Sequence, residues 1–249
     1  MKPAKSPRHL LRGLLIALFW LGVWQAASML VAKPVLFASP LDTLRALAEL
    51  LPTPDYWQSV LGSLGRIGLG FTLAFSLGLL FGILAFRLPL VEALLSPLLT
   101  LMKSVPVASF IILILVWFGS GPLAVIVALL IVFPLIYFAT LSGLKSTDRE
   151  LLEMARVFRV SGPRTAWRVY RPALMPYLTG ACASALGMSW KAGVAAEVIG
   201  TPLHSIGEQM YLSKVYMATG ELFAWTLTVI LLSTLFEKLV LGLLKEVGK

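Results

Sequence analysis

The chain has 249 residues, of which 58% are hydrophobic and 13% charged, with a formal net charge of +9 and a mean hydropathy of +0.88. Soluble domains carry roughly 25% charged residues, and one this apolar would have to expose larger hydrophobic patches than soluble monomers tolerate. A lone cysteine, Cys182, and two histidines far apart in sequence, His9 and His204, give no basis for a disulfide framework or a metal centre.

The long apolar runs are continuous rather than alternating, which predicts membrane-spanning helices and not a barrel. Six spans are expected, at about 11–32, 59–86, 98–118, 122–143, 174–198 and 221–244, each near the ~20 residues that cross a bilayer. The chain is therefore expected to be one all-α transmembrane domain over 1–249, a polytopic helical bundle. The first run, Gly13 to Ala32, is longer than the core of a signal peptide and is expected to be a retained span behind a basic start (Lys2, Lys5, Arg8, Arg12).

After it, Ser39-Pro40-Leu41-Asp42 predicts the start of a short amphipathic helix running towards Leu51, either at the membrane interface or packed on the domain. In the second span Gly70, Ala74, Gly78 and Gly82 fall every four residues and form one small-residue ridge. Such a ridge allows close helix approach, in a mobile contact or in static packing. Lys103 and Pro106 interrupt the third span, and Lys191 the fifth.

Segment 144–173 is too long for a simple turn. Thr147-Asp148-Arg149-Glu150 matches a capping box, with Thr147 as cap and Glu150 reaching back. Leu151, Leu152, Ala155 and Phe158 then form an apolar stripe. Ser161-Gly162-Pro163 is expected to end this helix, with Gly162 in the left-handed position. A second short helix is expected to stop near Tyr170, since Pro172 disfavours helix at Arg171. The resulting helix-turn-helix is basic and carries Met154, Phe158 and Trp167, which suits a protein partner or an anionic membrane surface.

Charge sets the expected orientation. Fifteen of the 21 lysines and arginines lie at the two termini, at Arg87 and in 144–173, against Lys33, Arg45 and Lys214 on the opposite side. Basic connections stay cytoplasmic, so both termini and 144–173 are expected there. Arg66, Lys103, Lys191 and Glu197 fall in or near apolar runs, where a charge costs at least ~2.5–3.5 kcal/mol and faces protein or water. Arg66, near a span end, is expected to snorkel. Lys191, Glu197, the neighbouring Trp190 and Lys103 are candidates for a solute pathway. Lys191 and Glu197, about 120° apart on one helix, are not expected to pair.

The stretch Glu153-Met154-Ala155, Arg159, Val169 and Pro172 resembles the EAA loop of bacterial ATP-binding-cassette importer permeases. Met154, Arg159 and Arg171 stand where that pattern has Ala, Gly and Leu. Ser39-Pro40, Ser63-Leu64-Gly65-Arg66, Gly70-Phe71, and Gly187 to Gly200 with Trp190 and Glu197 are similar to the branch that imports nitrate, sulfonates and taurine.

The resemblance implies a pair of permease subunits, a homodimer on the simplest reading, in a bacterial inner membrane. It implies a coupling helix docked on a separate ATPase through Glu153, Met154, Ala155, Phe158, Arg159, Gly162, Val169 and Pro172. An extracytoplasmic solute-binding protein would deliver a small anion such as nitrate, a sulfonate or taurine. The chain has no Gly-x4-Gly-Lys-Ser/Thr phosphate loop, so ATP and Mg are expected on the partner and no cofactor here. Lipid is an expected partner and nucleic acid is not. A self-sufficient secondary transporter and a membrane enzyme are the alternative readings. The first usually shows repeats and the second a catalytic motif; neither is found.

Overall fold

The computed structural model describes residues 7–33 and 35–247. Lys2, Lys5 and Lys249, counted for orientation, lie outside the described residues, as do the side chains of Arg8 and His9. The described residues are helical, with no strand among them. They form α1 (Pro7–Val31), α2 (Pro40–Leu50), α3 (Pro54–Arg87), α4 (Pro89–Ser104), α5 (Val107–Phe118), α6 (Leu123–Lys145), α7 (Arg149–Val157), α8 (Gly162–Thr165), a π-helical turn (Ala166–Tyr170), α9 (Arg171–Gly200), α10 (Ile206–Val215) and α11 (Thr219–Val247).

Four helices are long and apolar enough to cross a membrane: Leu11–Val31, Pro54–Arg87, Leu123–Lys145 and Thr219–Glu246. The α4–α5 pair would be a fifth if it makes one span, but it is bent by 102°. The expected span 98–118 is thus broken, at the Pro106 that interrupts it in the sequence. Pro106 has no N–H to donate, and it forces Val105 into an extended conformation (ψ 132°). At 30 residues α9 is also long enough to cross. Its small and polar residues, with Lys191 and Glu197, make it less apolar than the other four.

The chain divides into two compact units. The first comprises the described residues up to Trp57 together with Gln209–Thr228. Within it α1 is apolar all round and exposed from Leu11 to Leu21, as a lipid-facing helix requires. Ser39 caps α2 as predicted: its hydroxyl accepts from Asp42 N at 3.1 Å, and Asp42 Oδ2 accepts from Ser39 Oγ at 2.7 Å and Ser39 N at 3.3 Å. The Ser39 hydroxyl and then its backbone N–H hold the Asp42 carboxyl below the usual carboxylate range. Aromatic packing secures the unit, with Trp24 stacked on Phe223 at 5.8 Å and Tyr56 on Trp225 at 5.0 Å.

The second unit, Gln58–Glu208 with residues from Val229 on, holds the main apolar core. Phe71, Ala74, Val132, Ile136, Leu178, Cys182, Ala185 and Leu186 form its largest buried cluster, drawn from α3, α6 and α9. The small-residue ridge of α3 lies against α6. A Cβ on Gly70 would stand 2.5 Å from Val125 O, on Gly78 2.7 Å from Ile136 Cβ, and on Gly82 2.6 Å from Thr140 Cβ. The ridge thus serves close packing within the chain. α6 and α9 run antiparallel: Gly143 lies under Leu174 at one end, and Gly200 under Leu123 at the other. This pairing places α7, α8 and the π turn at one end of both helices.

Candidate functional site

The segment between α6 and α9 forms the most distinctive surface of the second unit. Asp148, not Thr147, caps α7, accepting from Glu150 N at 2.8 Å. Thr147 Oγ1 is instead buried with no hydrogen-bond partner. The carboxylate is the better acceptor beside the positive end of the helix.

The far end of α7 also differs from expectation. The left-handed residue is Arg159 (φ 51°), and the helix stops there rather than at Gly162. Val160 N donates to Ala155 O at 2.8 Å and Arg159 N to Arg156 O at 3.0 Å. These two bonds make a Schellman close, in which the left-handed residue is usually Gly. Arg159 therefore holds the geometry that the Gly of the resembling pattern would favour. Gly162 starts α8 behind Ser161, with Pro163 in the first turn. Arg159→Gly is expected to leave the loop's fold intact and raise stability by up to ~1 kcal/mol, because a left-handed L-residue costs roughly 1–2 kcal/mol and Gly loses some of that gain to entropy. A thermal melt of the purified variant checks it; a lower midpoint would contradict this account of the turn.

Nor does the second short helix stop near Tyr170. The chain stays helical from Gly162 to Gly200 through the π turn, and Arg171 is helical, its N–H donating to Ala166 O. The wider turn accommodates the ring of Pro172, which would otherwise crowd the carbonyl four residues back.

Along α7 the apolar stripe is only partly covered. Ala155 is buried and Leu152 half-buried, while Leu151, Met154 and Phe158 are exposed. Glu153 is exposed beside them. A groove of about 620 Å³ runs between α7 and the following turns, lined by Leu151, Met154, Phe158, Arg159, Arg168 and Val169 among others. Phe158 stands 74% exposed, in a setting that suits insertion into a partner. Of the eight predicted coupling residues, Met154, Ala155, Phe158, Arg159 and Val169 meet at this groove. Glu153 lies on the same short helix, and Gly162 and Pro172 shape the backbone.

The four charges of the apolar runs take different roles. Glu197 is fully buried and pairs with Arg66, Oε1 to Nε at 3.2 Å. Ser63 Oγ donates to Glu197 Oε2 at 2.5 Å and accepts from Ile206 N at 2.9 Å. Gly207 N donates to the same carboxylate oxygen at 3.4 Å. Arg66 does not snorkel: its Nη2 donates to the carbonyls of Leu203 at 3.1 Å and His204 at 2.8 Å. Gly62 and Gly207 permit this closeness, since a Cβ on either would collide with His204 O or with Glu197. The network ties α3 to the end of α9 and to the turn before α10. The partners are 131 positions apart. The available sequence signal was that Arg66 and Glu197 are opposite charges inside apolar runs, which tend to pair.

Trp190 is buried, edge-on to Phe236 at 6.2 Å, with its Nε1 unpartnered. Lys191 is exposed and unpaired with Glu197, and Lys103 is exposed over the Phe138 ring at 4.3 Å. Lys103 lines a cavity of about 180 Å³ with Phe110, Leu135 and Met188, and Trp190, Lys191 and Glu197 do not reach it. The four pathway candidates therefore do not meet at this cavity.

Comparison with known proteins adds an independent line. The family model for binding-protein-dependent transport system inner membrane components matches residues 74–245. A putative aliphatic sulfonates transport permease protein, SsuC of Bacillus subtilis, is 28% identical over 90% of this chain and 81% of its own length. The taurine transport system permease protein TauC of Escherichia coli is 26% identical over 86% and 80%. A probable ABC transporter permease protein of Haemophilus influenzae is 30% identical over 90% and 91%. Among solved structures, an inward-facing MetNI methionine ABC transporter has a chain similar in fold, with a TM-score of 0.53 and 17% identity over 76% of this chain and 93% of that one.

Proposed function

Because the chain belongs to the binding-protein-dependent transport system inner membrane components, we propose that it pairs with a second copy to form the solute pathway of an ATP-driven importer and couples to a separate ATPase through 144–173. The observation that carries this reading is α7: a capped helix at one end of the antiparallel α6–α9 pair, presenting Met154 and Phe158 to solvent at 51% and 74% exposure. A loop that only joined two spans would gain nothing from these exposed side chains.

In this reading residues 1–249 act as one permease domain of a multi-pass inner membrane protein, with both termini cytoplasmic. ATP and Mg bind the partner, and hydrolysis drives α7 and, through it, α6 and α9. An extracytoplasmic binding protein delivers the solute. The solute is a small anion such as a sulfonate, taurine or nitrate. Relatives named for sulfonate, taurine and bicarbonate transport support that choice, as do Lys103 and Lys191, which keep exposed ammonium groups. Glu197 and Trp190, being buried, serve the pathway by supporting its wall.

The test is to tag the chain, extract it from its native membrane and identify co-purifying proteins by mass spectrometry. An ATPase with a phosphate loop is expected at near-equal amounts. A preparation free of ATPase that still drives uptake after reconstitution without ATP would establish a self-sufficient carrier instead.

A further inference from the structure

Where α3, α6 and α9 end beside the basic loop, a cavity of about 360 Å³ opens with Arg87 and Arg171 on its wall and Phe86, Leu144 and Leu174 as its apolar lining. Its size falls in the ~300–1,000 Å³ range of small-ligand sites. Tyr170, also on the wall, is held edge-on to Phe86 at 5.6 Å. The Arg171 guanidinium stacks over Trp167 at 3.9 Å, and its Nε is buried without a hydrogen-bond partner. Arg87 is exposed. Among the described residues neither arginine makes a salt bridge; the two that form join Arg66 to Glu197 and Lys145 to Glu92. Two guanidiniums thus share one cavity with no carboxylate among the described residues paired to either, and one holds an unsatisfied buried donor. An unpaired buried donor is costly, and phosphate, like carboxylate, is an anion whose geometry suits the arginine fork.

The geometry points to a binding site for the headgroup phosphate of an anionic phospholipid from the cytoplasmic leaflet. The phosphodiester lies between Arg87 and Arg171, and the glycerol and first methylenes lie on Phe86, Leu144 and Leu174. The apolar lining distinguishes this ligand from free phosphate, which would gain nothing from it. The site rests on the cytoplasmic placement of the basic loop proposed above. It sits at the root of the π turn, so an occupied site braces the turn that joins α8 to α9.

The experiment is native mass spectrometry of the full chain in detergent, with phosphatidylglycerol or phosphatidylcholine added. The wild type is expected to retain phosphatidylglycerol preferentially. The Arg87→Gln/Arg171→Gln variant is expected to retain it about 25-fold less, since each basic residue at such a surface contributes about fivefold. The Arg87→Lys/Arg171→Lys variant, which keeps both charges but not the guanidinium forks, is expected to retain more than the Gln variant and less than wild type, and so excludes misfolding as the cause. Equal retention by wild type and the Gln variant overturns the site, as does equal retention of the two lipids by wild type. If inorganic phosphate raises the thermal midpoint as far as phosphatidylglycerol does, the ligand is soluble phosphate and the lipid assignment fails. ATPase co-purification, scored on the same samples, keeps the two readings apart. Lost lipid selectivity with the ATPase present removes only this site, whereas selectivity in a preparation free of ATPase that still drives uptake without ATP supports it and removes the importer.

Discussion

Glu197→Leu is expected to destabilise the protein by about 3–5 kcal/mol, the usual cost of removing one member of a buried ion pair. The loss exceeds a single contact. Without the carboxylate, Arg66 loses its counter-charge, Ser63 Oγ loses its acceptor at 2.5 Å, and Gly207 N loses its acceptor at 3.4 Å. The Leu203 and His204 carbonyls that Arg66 also holds are then tied to an arginine with less reason to stay in place. Thermal unfolding of the purified protein in nanodiscs measures the effect. The double variant Arg66→Leu/Glu197→Leu is expected to regain part of the loss, because replacing both partners with apolar groups removes the stranded charge. A Glu197→Leu variant as stable as wild type, or a double variant no more stable than Glu197→Leu alone, would show that the pair does not hold α3 to α9.

Phe158→Asp is expected to abolish recovery of the ATPase and cut ATP-driven uptake by about 30-fold or more, matching the ~2 kcal/mol or greater loss at an interface anchor. Phe158 is 74% exposed at the end of α7 and packs little on its own chain, so the fold and the membrane insertion should survive. The substitution puts a carboxylate where an apolar ring would enter the partner. Glu153→Lys reverses charge on the same helix and should act in the same direction. Uptake, ATPase recovery and the melting midpoint are measured together. Normal uptake in Phe158→Asp would remove α7 from the coupling reading, and a midpoint lowered as far as uptake would turn the effect into one of folding.

Legibility followed the range of the interaction. The Ser39 cap was readable because the hydroxyl and Asp42 lie three residues apart, so the bond is local. The start of α7 was placed to within one residue, yet the choice between Thr147 and Asp148 depended on which side chain the packed core buried. The spacing of Gly70, Ala74, Gly78 and Gly82 announced a close contact, and only α6 packed against it identified the partner. At Arg159 composition pointed elsewhere: Gly162 is the residue best suited to a left-handed turn, but the hydrogen bonds of the helix end put Arg159 there.

From composition, hydropathy and local capping, the sequence by itself determined an all-helical membrane chain with a structured basic loop, and the motif from Glu153 to Pro172 added the resemblance to importer permeases. These signals act over one helical turn or sum over a whole span, so they need no knowledge of neighbours. Tertiary structure decided the rest. It paired Arg66 with Glu197 across 131 positions, bent α4 against α5 by 102°, and carried the helix past Pro172 through a π turn. The ion pair turns on which helices are adjacent, since a charge inside an apolar run must find a partner but packing alone determines which one it reaches; at Pro106 and Pro172 the sequence marks an interruption, and the folded backbone decides between a bend and a widened turn.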